Sequence, residues 1–250
     1  MEQLRLSPSR INDFNNCPQL YKYRAIDQLP EPPSIDAERG KLIHSVLEDL
    51  FEEKIEDRTI VTALNLLPKA WEEHLLSQPE LAQLVLDEKE WMDRAGSLLS
   101  SYFTLENPQS FDSTFRELHL EQNLSEEIYL HGYVDRVDIA PTGEVRIVDY
   151  KTGKSPKPGW EEKALFQLRV YALLYWQNHG VLPRLLKLIY LGDQKIVESS
   201  PTEVQLKSTE KILLNIGEEI LSAIETKHFP TKKSRLCDWC FFKTICPAHN

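Results

Sequence analysis

Two stretches of this 250-residue chain carry residue types from which metal-assisted chemistry can be built. One is Gly132-Tyr-Val-Asp135-Arg-Val-Asp138; the other, a few residues on, is Ile147-Val-Asp149-Tyr150-Lys151-Thr-Gly153. Both segments alternate in hydropathy and are rich in Val, Ile and Tyr, which predicts strands over 128–140 and 144–151. Pro141-Thr142-Gly143 between them reads as a tight hairpin loop. If Ala140 pairs with Glu144, paired positions sum to 284 and Asp135 falls opposite Asp149. Directly opposed side chains stand roughly 4.5–5.5 Å apart at Cβ, and Lys151, two residues beyond Asp149, shares its face. Carboxylates that close repel, which costs stability and raises one pKa unless a cation intervenes. Oxygen ligands on adjacent strands suit Mg²⁺ or Mn²⁺. A lysine beside such an ion can hold a water nucleophile or neutralise charge developing on a phosphate. The plain alternative is an exposed hairpin whose Asp and Lys make surface ion pairs. The register match favours the cation, and a slip of one residue would undo it.

Three further groups of residues bear on the same chemistry. His44 sits at the edge of an apolar arc (Leu42, Ile43, Val46, Leu47, Leu50, Phe51) in a helix predicted from about Asp36 to Glu56. It faces the core side, either as a satisfied boundary histidine or as a ligand. Gln167 and Tyr171 are an i, i+4 pair on a strongly apolar helix over 160–179. They form either a hydrogen-bonded core pair or a pair aimed at the hairpin, contacting phosphate or Lys151. Cys237-x2-Cys240-x5-Cys246 is a compact three-thiol loop, and Cys17 is the only other cysteine. Four thiolates suit an iron–sulfur cluster or structural Zn²⁺, and spacing alone does not choose. Cys17-Pro18 and Cys246-Pro247 both place thiols in turns, which argues against unrelated buried thiols.

The elements that must position these residues follow from periodicity and punctuation. Ser7-Pro8 opens a short helix running to about Lys22. Residues 30–33 (PEPP) break the chain before the His44 helix, and 60–104 holds two more helical patterns divided near Gln78-Pro79. Strands are predicted over 113–123, 128–140 and 144–151, then at Leu185–Leu191 and 194–199, with a closing helix over Glu203–Lys227. Helices, three strands, helix, strands and helix make an α/β core with a helical insertion over 45–110. The insertion lies within a single domain spanning 1–250, and a cysteine-bearing tail covers 228–250.

Composition narrows the class. A 41% hydrophobic share supports a sizeable core, and no apolar run approaches the ~18 residues of a membrane span. A soluble, cytoplasmic protein is the expectation. The net charge of −10 excludes a surface coated in positive charge for nucleic acid. Charge is segregated, however: residues 31–57 carry nine acids and three bases, whereas 227–246 carry five bases against Asp238 alone.

Taken in order, these residues resemble the RecB-like branch of the PD-(D/E)XK nuclease superfamily. The resemblance is specifically to its four-cysteine iron–sulfur members, such as AddB-type nuclease domains and certain CRISPR-associated nucleases. It spans Ser7-x-Ser9, Cys17-Pro18, Tyr23-Arg24, Gly40-x3-His44, Gly132-x2-Asp135-Arg136-x-Asp138, Asp149-Tyr150-Lys151-Thr152-Gly153, Gln167-x3-Tyr171-Ala172 and the cysteine tail. The resemblance implies a restriction-endonuclease-like core, a central mixed sheet flanked by helices. It implies His44, Asp135, Asp149 and the Tyr150 main-chain carbonyl as ligands of Mg²⁺ or Mn²⁺. Lys151 becomes the catalytic lysine, with Gln167 and Tyr171 lining the site. Cys17, Cys237, Cys240 and Cys246 hold a 4Fe–4S cluster, with zinc the lesser occupant. The expected activity is a metal-dependent DNA exonuclease of repair or recombination that prefers single-stranded ends. Arg10, Arg24, Lys154, Lys157 and the tail lysines are expected to line its channel. No GxxxxGK[ST] motif occurs, so any helicase is a separate partner. A CRISPR spacer-acquisition nuclease and a non-catalytic DNA-binding subunit are the alternatives.

Overall fold

The chain opens on a three-residue strand, β1 (Leu4–Leu6), which periodicity is too short to reveal. The structure is a computed structural model that describes residues 3–249; positions 1–2 and 250 of the expected domain lie outside the described residues. Ser7 caps α1 (Pro8–Asn16) by accepting from the Arg10 N–H, with proline at the first helical position as expected. The helix does not run on to Lys22. It stops at Cys17-Pro18, restarts as α2 (Pro18–Tyr21) and widens into a π-helical turn over Lys22–Ile26. Proline at 18 cannot donate to the preceding turn, which is why the break falls there.

The long helices α3 (Ile35–Glu52), α4 (Ile60–Ser77) and α6 (Glu88–Leu105), with the short α5 (Leu81–Leu84), follow. Ser34, Thr59 and Asp87 cap the three long ones. Then come β2 (Phe115–Asn123), β3 (Ile128–Ile139), β4 (Val145–Lys151), α7 (Glu161–His179), β5 (Leu185–Tyr190), β6 (Lys195–Ser199) and α8 (Glu203–Thr226). The strands form one six-stranded mixed sheet. No helix is long and apolar enough to cross a membrane.

The sheet forks at β3. Antiparallel β2 covers one edge of β3, pairing residues from Tyr129 to Val137. The other edge is shared: β1 pairs in parallel with Ile128–Leu130, and β4 pairs antiparallel with 136–139. Residues 131–135 therefore have no strand partner on that edge among the described residues, and Asp135 stands at the mouth of the gap. The β3–β4 pairs run Ile139↔Val145 to Arg136↔Val148, the predicted register. Gly143 closes the loop at φ 94, donating its N–H to Ala140 O at 2.8 Å.

Apolar side chains pack on both faces of the sheet. On one, Val145, Ile147, Leu186 and Leu188 meet α7 and α8. On the other, Val148, Tyr150, Ile189 and Leu191 meet α3, α4 and α6. Strand alternation thus sends Asp149 and Lys151 toward α7 and the Tyr150 ring toward α6.

Candidate active site

Lys151 and Asp149 end β4 on the face that α7 covers. The Lys151 ammonium lies 2.7 Å from Asp149 Oδ2 and donates to Gln167 Oε1 at 3.2 Å. Gln167 Nε2 in turn donates to Asp149 Oδ1 at 3.2 Å and to the Tyr171 hydroxyl at 2.8 Å. The i, i+4 pair is therefore bonded to the hairpin and does not form an isolated core pair. The Lys151–Asp149 contact is a close ion pair between a half-buried ammonium and a buried carboxylate. Burial alone would depress the Lys151 pKa, but the Asp149 charge and then Asp135 outweigh it and raise it.

Asp135 occupies the gap in β3. Its Oδ2 accepts the Tyr150 N–H at 2.7 Å and lies 3.5 Å from His44 Nδ1. The other nitrogen of that ring, Nε2, is 3.0 Å from the Tyr150 carbonyl oxygen. Helix α3 thus delivers His44 to the carboxylate and carbonyl of the hairpin. Burial, and next the Asp149 charge, hold the Asp135 carboxyl well above the usual carboxylate range. Burial lowers His44, favouring the neutral imidazole that ligates metals.

One residue here escaped the sequence. In the β2–β3 register, Glu117 is the position opposite Asp135, between the pairs Arg116↔Arg136 and Leu118↔Val134. Its backbone is left-handed at φ 44, a conformation that costs a non-glycine residue about 1–3 kcal/mol and gathers at functional sites. Val134 and Val137, three apart, both join the α7-side core, so alternation slips by one residue at this position. The irregularity brings ligand atoms of His44, Glu117 and Asp135 within 4.8 Å of one another. Burial raises the Glu117 pKa, helped by the Glu48 and Asp149 charges. An imidazole and two carboxylates converging on one point, with the Tyr150 carbonyl against the same imidazole, fit a hard divalent cation. Asp149 lies outside that trio, paired with Lys151.

The four cysteines are free, half-buried and line one small cavity of about 50 Å³. Backbone N–H groups of Lys232 and Ser234 each point at a sulfur, Cys17 and Cys237 respectively, at 3.4 Å. The Tyr23 hydroxyl donates to Ile245 O at 3.2 Å and its ring packs on Phe242, so the π-helical turn grips the tail. Tetrahedral thiolates on one zinc stand about 3.8 Å apart, given 2.3 Å bonds. Among the described residues, no three cysteine sulfurs lie within 4.8 Å of one another.

The proposed channel bases divide. Arg24 spends its guanidinium on Asp13 and, through two nitrogens, on Glu31. Arg10 leans on Asp13 at 3.7 Å. Lys154 lines an open groove that also contains Gln167.

Comparison with known proteins supplies a family and a fold. A model of the PD-(D/E)XK nuclease superfamily matches residues 5–247, so the chain belongs to that superfamily. The Gene 69 protein of Mycobacterium phage D29 is 25% identical over 277 aligned positions, covering 99% of each chain. Its counterpart from Mycobacterium phage L5 is 23% identical, covering 97% of this chain and 96% of that one. Among solved structures, a candidate exonuclease from Eubacterium rectale superposes with a TM-score of 0.62 at 15% identity. That match covers 94% of this chain and 86% of the other, and shows a shared fold.

Proposed function

We propose that this PD-(D/E)XK superfamily member is a metal-dependent deoxyribonuclease that hydrolyses DNA from single-stranded ends. The observation that carries the reading is the division of labour across the hairpin. His44, Asp135 and the Tyr150 carbonyl gather on one side, and Lys151 is held by Asp149 and Gln167 on the other. His44, Asp135, Asp149 and the Tyr150 carbonyl, joined by Glu117, are the residues that would hold Mg²⁺ or Mn²⁺. An ion held there would supply Lewis acidity to a phosphodiester and lower the pKa of a water it binds. Lys151 keeps its proton because two carboxylates face it, so it orients the water and neutralises charge on the non-bridging oxygens. Gln167 fixes the ammonium direction, and Tyr171 fixes Gln167.

The whole chain acts as one nuclease domain, with 45–110 as an insertion and 228–250 as a tail that binds a 4Fe–4S cluster. The convergence of all four cysteines on one cavity supports a shared thiolate-bound centre there. A role in cytoplasmic DNA repair or recombination, alongside a separate helicase or repair partner, suits a nuclease chain without a motor motif. The test is cleavage by anaerobically purified protein with Mn²⁺ or Mg²⁺, on end-labelled linear and on circular single-stranded DNA. Loss of the linear form alone, abolished by Lys151→Ala, is expected. Cleavage retained in Lys151→Ala overturns the lysine's role, and cleavage of circles overturns the requirement for ends.

A further inference from the structure

An open groove of about 1180 Å³ runs between α1, α7, α8 and the loop that follows Lys151. Asn12, Lys154, Trp160, Lys163, Phe166 and Gln167 are among its walls. Gln167 is the residue that holds the Lys151 ammonium, so one end of the groove opens onto the candidate active site. Trp160 is 74% exposed, an unusual placement for the side chain that gains most from burial. It is held there by local structure. The Trp160 N–H donates to Lys157 O at 3.0 Å, and Gly159 turns at φ 87 with its N–H on Glu161 Oε2 at 2.7 Å. The indole is therefore presented at the first turn of α7 by a fixed bend. Seven residues of helix separate it from Gln167, roughly 10 Å, the rise of about three stacked nucleotides.

Charge agrees with this placement. In a chain of net charge −10, Lys154 and Lys163 face Glu219 along the groove, Arg169 and Glu162 being paired with each other at 2.8 Å. Two lysines also reach the α1 wall: Lys163 of the facing wall donates from Nζ to Asn16 Oδ1 at 2.8 Å, and Lys232 of the tail from Nζ to Asn15 O at 2.9 Å. A flat exposed indole set among cations beside a phosphodiester-cleaving site matches an unpaired strand, whose bases offer free faces. A duplex hides those faces in its own stack.

We infer that this groove seats the single strand and that Trp160 is the platform on which one of its bases stacks, making the enzyme select unpaired DNA. The inference rests on the nuclease reading for the direction of the strand, but its test does not need cleavage. In a Lys151→Ala background, binding of a fluorescein-labelled oligothymidylate is followed by anisotropy, alongside a labelled blunt duplex of equal length. Replacing Trp160 by Ala should weaken oligothymidylate binding by about tenfold or more and leave the weaker duplex binding unchanged. Trp160→Phe should recover most of the loss, and circular dichroism should match the parent for both variants. Unchanged oligothymidylate affinity in Trp160→Ala, equal losses for strand and duplex, or no binding by the parent would each overturn the inference. The two readings fail separately. Trp160-dependent binding without cleavage by the native chain removes the nuclease and keeps the groove; cleavage with Trp160-independent binding does the reverse.

Discussion

Asp135 is a largely covered carboxylate, its side chain 11% exposed, with Asp149 beside it and one backbone N–H to hold it. Its folded pKa is raised, so the ionised form costs stability. The folded state binds its proton more tightly than the unfolded chain, and stability present below the unfolded pKa of about 3.9 is lost as pH rises through the folded value. Asp135→Asn should therefore melt higher than the native chain in the presence of a chelator. The gain should be small at acid pH and full at pH above the raised pKa, read by scanning calorimetry. The same variant should lose the stabilisation that added Mn²⁺ gives the native chain. An equal Mn²⁺ shift in both proteins would remove Asp135 from the ligand set. Asp135, Asp149 and Lys151 were legible because the length of one tight loop fixes their register. Glu117 was not: its aim depends on a left-handed backbone at φ 44 and a slip in alternation, and neither leaves a pattern in Phe115–Asn123.

Between elements, the decisive contact is the approach of α7 to β3. A Cβ at Gly132 would lie 2.8 Å from Cε1 of Tyr171, whose ring is buried between helix and strand. Only glycine lets Tyr171 come close enough to hold Gln167, and through it Lys151. Gly132→Ala should cost about 1–3 kcal/mol of stability, the usual penalty for overpacking. Cleavage should fall further than the lost stability explains at temperatures where the variant stays folded, because Tyr171 moves with the strand. Native activity with a lowered melting temperature would confine Gly132 to packing. The helices of this assembly were readable from apolar arcs, and Ser7-Pro8 caps the first one as its residue types predict. The strand Leu4–Leu6 was hidden because three residues carry no periodicity. Its existence depends on Ile128–Leu130, more than a hundred residues away.

Across the whole molecule, one long-range tie holds the site's elements in place and the cysteines offer a second. The first is a buried charge cluster under the hairpin. Arg136, 1% exposed, meets Glu106 at 2.9 Å and Asp138 at 3.1 Å and donates to the Tyr150 hydroxyl, while Lys187 reaches Glu106 at 2.9 Å. Burial would raise the Glu106 pKa, but Arg136 and Lys187 more than reverse it, so the carboxylate stays charged. Because Glu106 follows α6, this cluster fastens the helical layer to the strand whose carbonyl faces His44. Charged residues scattered from 106 to 187 give no hint of such a cluster until the sheet stacks them. The proposed second tie rests on three cysteines at the end and one near the start, which line one cavity. Joining Cys17 to Cys237 closes a loop of 220 residues, worth on the order of 5 kcal/mol as a constraint on the unfolded chain. Anaerobically purified native protein should be brown, absorb near 400 nm and carry about four irons per chain. Cys17→Ser should bleach that absorbance and lower the melting temperature, since serine keeps the volume and loses the soft ligand. It should also weaken cleavage, because α1 leads directly from β1 to the groove. A colourless native protein with one zinc per chain would replace the cluster with a zinc staple. Full iron content in Cys17→Ser would free the N-terminal segment from the tail altogether.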